Sequence, residues 1–482
     1  MMLFAVLPST AGEIDSRISA ELSRKGIAPS GQSDPARLVR RYFLVMTDRI
    51  PTEAQTRAFL RKPDRTALVD SLLNSDGFVE KLTLKWGDLL RIKSEFPSCM
   101  WPNAVQAFNK WLTEQFRANV PYDKFVRSML LSSGSNFRVP QINFYRAGSD
   151  RTPAKFASDA ALLFLGRREA PKEWEAFFSQ LRFKSTKEWK EEILWIDIDV
   201  PGASTTLGGR SVNLPEGTDY RIPFATWLTS ERDFARAYAN RLWSWLMGRG
   251  VIEPVDDLRP DSPVSNPALL DYLTDRFIAS GYDTRAIARE ILLSEAFSRS
   301  TISTPGNVSD NSLFSHYPHS RITAEQLCDA ICDITGVPDL YSSRAPEPFT
   351  NFPAGTRANQ VCDGTITTPQ LDIFGRPSRD VALESSRDNS LNAKQMLYLL
   401  NSTTIQEKLR KSPYLEERLK SFDLNSFVNE AYLRVLSRPA TEQEMQAVTE
   451  WARSMRASGK NRIVAESLIW ALINTDEFLF QN

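Results

Sequence analysis

Three acids crowd one short stretch, Glu188-Trp-Lys-Glu191-Glu192. Read as a helix, it places Glu188 and Glu192 on one face, where like charges repel unless a cation, an arginine or a proton intervenes. Paired carboxylates suit general acid–base catalysis or glycoside hydrolysis once their pKa values are driven apart. Together with Asp197 and Asp199 they would also suit Ca²⁺. The plain alternative is a solvated helix end answered by Lys187 and Lys190. Glu191 and Glu192 are therefore catalytic candidates.

A second constellation is Asn240-Arg241 with Arg249 and Asp256-Asp257. The helix predicted over Ser230–Met247 breaks at Gly248-Arg-Gly250, and Asp256-Asp257 can fold back towards Arg241. A buried Arg–Asp pair would fix that loop, because either charge left alone costs about 3–5 kcal/mol. Alternatively, Arg241 or Arg249 grips a sulfate or carboxylate through its planar fork. Asp256 and Asp257 join the catalytic candidates, and Asn240, Arg241 and Arg249 are ligand-binding candidates.

Three further groups stand out. Arg321, Glu325 and Asp329 are spaced by four, as along one helix face, so Arg321–Glu325 reads as a plain helical pair. Arg376, Arg379, Glu384 and Arg387 set three arginines around one acid, either an anion site or an ion-pair network. The stretches Phe96–Asn103 and Asn136–Arg146 bring Trp101, Asn103, Phe137, Arg138, Phe144 and Tyr145. Exposed aromatic rings stack on sugar faces; buried ones build core.

Composition narrows the field. The 482 residues carry 59 Lys+Arg and 59 Asp+Glu, so the formal net charge is zero. No global field steers such a chain onto nucleic acid. Four cysteines are too few for a disulfide scaffold, and no Cys-x-x-Cys-His haem motif occurs. The two histidines, His316 and His319, flank Pro318 in a predicted loop, which argues against a metal site; no resident cofactor is expected beyond the Ca²⁺ option. Gly-x-Ser-x-Gly, P-loop, dinucleotide and His-Glu-x-x-His patterns are all missing. No stretch is apolar and long enough to span a membrane. The opening Met1-Met-Leu-Phe-Ala-Val-Leu-Pro-Ser-Thr-Ala11 looks like the end of a secretory signal.

The elements that must position these residues are helical. One phrase is written at both ends: Tyr42 to Glu53 followed by Leu68 to Phe78, then Tyr432 to Glu442 followed by Glu466 to Phe478. A partial copy closes at Ile291–Phe297. Thr52 with Gln55, and Thr441 with Glu444, have capping-box spacing. Ser75 and Thr475 are predicted to cap a following turn whose Phe enters the core. The expected fold is mainly α, with a small β hairpin near 193–214. The expected division is a leader at 1–34, an N-terminal helical domain at 35–200, a linker at 201–223 and a C-terminal helical domain at 224–482. Residues 336–380 read as a long irregular segment.

Arg91-Ile-Lys-Ser-Glu-Phe-Pro97, Trp101-Pro-Asn-Ala104, Ser133-Gly-Ser-Asn-Phe-Arg138 and Glu188-Trp-Lys-Glu-Glu192 resemble the first of two paired bacterial domains. Asn240-Arg-Leu-Trp243, Gly248-Arg-Gly250, Pro254-Val-Asp-Asp257, Phe374-Gly-Arg-Pro377, Gln395, Leu399-Leu-Asn-Ser402 and Asp476-Glu-Phe478 resemble the second. These are the domains of unknown function fifteen-forty-nine and fifteen-fifty-three, typical of planctomycetes. The resemblance implies an exported protein, periplasmic or extracellular, associated with polysaccharide processing. Many relatives carry a fused cytochrome c domain; this sequence has no haem-binding motif. The family assigns no catalytic residue. Two functions follow as expectations: a carbohydrate-binding or assembly protein, or a carboxylate-dependent hydrolase acting on a polysaccharide. Either predicts a cleft lined by segments 93–104, 132–147 and 336–380. Carbohydrate or another exported protein is the expected partner.

Overall fold

The computed structural model describes residues 11–259, 261–343, 352–455 and 459–481, and its architecture is mainly α. The opening apolar run at 1–10 and part of the irregular 336–380 segment lie outside the described residues.

Residues 11–25, polar on average and expected to belong to a leader, form the helix Ala11–Lys25. Its Ile14, Ile18 and Leu22 recur every four residues and are fully buried. A stripe that narrow is hidden in a composition average, yet it suffices to seat a helix.

The terminal phrases fold as the sequence spells them. Asp34 caps the helix Pro35–Thr47, with Pro35 in its first turn. Capping boxes form at Thr52/Gln55 and Thr441/Glu444, starting the helices Glu53–Arg61 and Glu442–Ser454. The preceding helices, Pro35–Thr47 and Leu424–Leu436, both end on a left-handed residue, Asp48 and Ser437. All three closing phrases share one geometry. Ser75, Ser294 and Thr475 each accept the N–H of the Phe three residues on, and each hydroxyl donates to the carbonyl three residues back. Phe78, Phe297 and Phe478 are buried. The two terminal copies also touch. Arg40, just ahead of the first on the helix Pro35–Thr47, donates to the carbonyls of Val435 (2.8 Å) and Phe478 (3.1 Å) in the second.

The β structure differs from the single hairpin expected near 193–214. Leu181–Ser185 pairs antiparallel with Glu192–Ile196, which also pairs with Gly134–Ser135. A separate hairpin joins Ala203–Leu207 to Arg210–Leu214 across Gly208-Gly209. Both glycines have positive φ, which a two-residue hairpin turn requires. A third small pair sets Ser320–Arg321 against Phe480–Gln481. The helix expected over Lys172–Arg182 is a 3₁₀ helix, Lys172–Phe178, followed directly by strand.

Buried apolar side chains gather in two clusters. One runs from Ile14 to Tyr317, with Ala382, and takes in Leu207, Leu214 and Tyr220. The other runs from Ile322 to Leu479 and recruits Leu44 and Ile50 from the first terminal copy.

Candidate functional site

Where the two apolar clusters meet, a cleft of about 310 Å³ opens. Its walls come from four places: the helix Asp76–Leu89, the loop after the helix Arg232–Met247, the Ser320–Arg321 strand, and the turn at 384–389. Five of the candidates read from the sequence line it: Arg249, Asp256, Arg321, Glu384 and Arg387.

The floor is the charged face of the helix Asp76–Leu89. Lys81, Lys85 and Asp88 recur at helical spacing and are all largely buried. They were missed in the sequence, where single charges between Leu82, Trp86 and Leu89 look like a solvated face. The available signal was that no face of this helix is continuously polar. Lys81 binds Asp48 at 2.5 Å, and Lys85 binds Glu384 at 3.0 Å. Asp88 takes Arg379 at 2.9 Å on one oxygen and Arg387 at 2.7 Å on the other.

Glu384 is the hub of the cleft. One oxygen accepts from Lys85; the other accepts from the Trp245 indole at 2.6 Å. Its backbone N–H donates to Asp256 at 2.6 Å, and Asp256 also takes Arg241 at 3.2 Å. Burial raises the Asp256 carboxyl above its ordinary value, with Arg241 opposing. Asp257 does not reach Arg241; it pairs instead with Arg259 at 2.9 Å. Asn240 ties the same loop from below, accepting from the N–H groups of Val251 and Ile252.

Arg321 is not on a helix with Glu325 and Asp329 but on the short strand before it, so the expected Arg321–Glu325 pair does not form. Its guanidinium binds the carbonyls of Ile322, Phe374 and Asp388. Glu325 instead binds Arg387. Burial alone would raise the Glu325 carboxyl, but Arg387 and Arg376 override it and hold the group at about 2. The three arginines expected around Glu384 thus gather on Glu325 and Asp88. Arg376 sits 3.7 Å from Glu325 and donates to the carbonyls of Ile366 and Val361.

Arg249 is the exception. It lines the cleft with no hydrogen bond or ion pair to any described residue, and its Nε is buried and unpartnered. An arginine fork left open in a polar cleft is a ready receptor for an oxyanion.

The remaining candidates lie elsewhere. Glu188 and Glu192 do not share a helix face: Glu188 stands in a turn closed by Lys190 at φ 61°, and Glu192 begins a strand. Glu191 accepts from Ser135 at 2.5 Å and Thr186 at 3.0 Å, and these bonds lower its pKa, with Arg138 at 3.9 Å. Burial would raise Glu192, but Arg146 and Arg151, each at 2.8 Å, lower it on balance. Asp197 pairs with Arg182. Among the described residues no group of three His, Cys, Asp or Glu side chains is placed to hold a metal ion. Trp101 meets the exposed Trp189 edge-on at 4.7 Å, with the Lys190 ammonium 5.0 Å from its ring. The Asn103 side-chain oxygen is buried without a partner. Phe144 and Tyr145 are core.

Two family models match the chain. One, described as "Protein of unknown function (DUF1549)", covers residues 13–176; the other, described as "Protein of unknown function (DUF1553)", covers residues 220–452. The chain belongs to the family that pairs these two domains. No curated protein and no solved structure matches it. No helix among the described residues is long and apolar enough to cross a membrane.

Proposed function

We propose that this chain is a non-catalytic binding protein, an exported component of a polysaccharide-processing system, whose cleft takes the anionic group of a carbohydrate. Arg249 carries the reading: it is a cleft cation with no hydrogen bond or ion pair to any described residue, whereas Lys81, Lys85 and Arg387 beside it are paired with carboxylates and Arg321 with carbonyls. The acids support it from the other side. Glu191, Glu192, Asp256 and Asp257 are all engaged by hydroxyls, arginines or backbone N–H groups. A general acid or nucleophile has to keep an oxygen for the substrate. The seam between the two apolar clusters is proposed as the seam between two domains.

A hydrolase acting on an anionic polysaccharide is the second reading. It draws on Asp256, whose carboxyl is raised by burial and stands beside Glu384 in the same cleft.

Calorimetric titration of anionic and neutral oligosaccharides into the purified protein tests both. Binding of the anionic ligands alone, lost in Arg249→Ala, with the ligand recovered intact, is the expected result. Equal binding of neutral and anionic ligands would remove the first reading, and cleaved product would favour the second.

A further inference from the structure

The cleft's polar groups divide into those already engaged with one another and those left open. Asp256 and Glu384 have partners on both oxygens, and Arg387 has partners on both terminal nitrogens but not on its Nε. Open on the donor side are Arg249, whose guanidinium has no described partner, and the buried Nε of Arg321 and of Arg387. Open on the acceptor side are two groups lining the same cavity. The Asn389 side-chain oxygen is buried and has no donor. Glu253 uses one oxygen, for the Gly250 N–H at 2.5 Å, and its second oxygen meets no described donor.

This inventory is two-sided. A bare sulfate or phosphate has only acceptors; it would satisfy Arg249, leave Asn389 without a donor and be repelled by the Glu253 carboxylate. A carboxylate flanked by hydroxyls fills both sides, its anionic end on Arg249 and its hydroxyls donating to Glu253 and Asn389. Resting on the binding reading above, we propose that the cleft is specific for a hydroxy-carboxylate, a uronate-type sugar acid, and that Glu253 and Asn389 select it over bare sulfate or phosphate. A site built to receive a ligand's hydroxyl rejects an analogue that lacks it where the acceptor is buried, as the Asn389 oxygen is; Glu253, an exposed residue, acts by repelling the bare anion.

The test compares three probes by calorimetry: a galacturonate trimer, inorganic sulfate and the neutral galactose trimer. In the wild-type protein the galacturonate trimer should bind about tenfold or more tighter than inorganic sulfate. Glu253→Gln keeps an oxygen for Gly250 but offers the ligand an amide donor. It should weaken galacturonate and strengthen inorganic sulfate, so that the preference narrows or inverts. Asn389→Leu should weaken galacturonate alone, which keeps the test decisive if Glu253→Gln is poorly folded. Equal affinity for both anions in wild type and variants overturns this inference while leaving an anion site in place. Binding of neither anion overturns the binding reading and this inference with it.

Discussion

Arg387 holds Glu325 through two hydrogen bonds, at 2.5 and 3.1 Å, and so ties the turn at 384–389 to the helix Ala324–Thr335. Glu325 is fully buried, and Arg387 reaches past it to Asp88 on a helix of the first apolar cluster. The pair therefore shapes one wall of the cleft and joins the two halves of the chain. Removing one partner of a buried pair leaves the other charge uncompensated, at about 3–5 kcal/mol. Because Asp88 still faces Arg387, Glu325→Gln should fall near the lower end, about 3 kcal/mol, in urea unfolding. A loss below about 1 kcal/mol would show that the pair is not what holds this seam.

The same carboxylate sets an acid limit. Its pKa in the folded chain is about 2, below its ordinary 4.5. Its contribution is complete above about pH 4.5 and is lost as pH falls towards 2, because the unfolded chain takes up the proton first. Unfolding midpoints measured across that window should fall steeply in the wild type and less steeply in Glu325→Gln. Parallel curves for the two proteins would contradict the assignment.

Asp329 works in the opposite direction. Burial pushes its carboxyl up to about 7, against Arg357 and the N–H groups of Ala358 and Asn359. A carboxyl raised on folding contributes most when protonated in both states, below pH 3.8. That contribution falls as pH rises to about 7, since the folded chain retains a proton that the unfolded chain has released. Asp329→Asn should flatten the decline in thermal midpoint between pH 4 and 7 relative to wild type. An unchanged slope would place the titration elsewhere.

Arg249 should separate binding from stability. It has no hydrogen bond or ion pair to any described residue, so Arg249→Ala removes no interaction that the fold relies on. Substitutions of this kind stay within about 0.5 kcal/mol. Urea unfolding should be indistinguishable from wild type while the anion titration is lost. A clear destabilisation would reveal a structural role instead.

Local chemistry was legible in the sequence and long-range chemistry was not. The caps at Thr52, Thr441, Ser75 and Thr475 depend on residues three apart, so spacing alone announces them. Asp256 folding back to Arg241 was legible for the same reason: one short loop joins them. Glu384 was matched with the arginines nearest in sequence, but it chose Lys85 and Trp245, far away along the chain. Arg321 and Glu325 had helical spacing, and the strand pairing of Ser320–Arg321 with Phe480–Gln481 removed Arg321 from that face. Glu188–Glu192 carried helix-like charge spacing, yet the alternation in Ile193-Leu-Trp-Ile196 extended the strand back to Glu192. Partner choice across the seam depends on the packing of whole helices, which no short window of sequence contains.

The three matching caps make a final, quantitative demand. Ser75, Ser294 and Thr475 each satisfy an N–H at a helix start that has no partner within its helix. Each also anchors a buried Phe, so the cap and the core residue act together. Replacing such a cap by Ala costs typically about 1 kcal/mol, within a range of about 0.5–2. Ser294 is fully buried, so Ser294→Ala should lie at the upper end, because water cannot replace the lost acceptor. Ser75 is more accessible, so Ser75→Ala should lie lower, and Thr475→Ser, which keeps the hydroxyl, should be close to neutral. Equal small losses at all three sites would mean that the cap is incidental and that the buried Phe alone holds the turn.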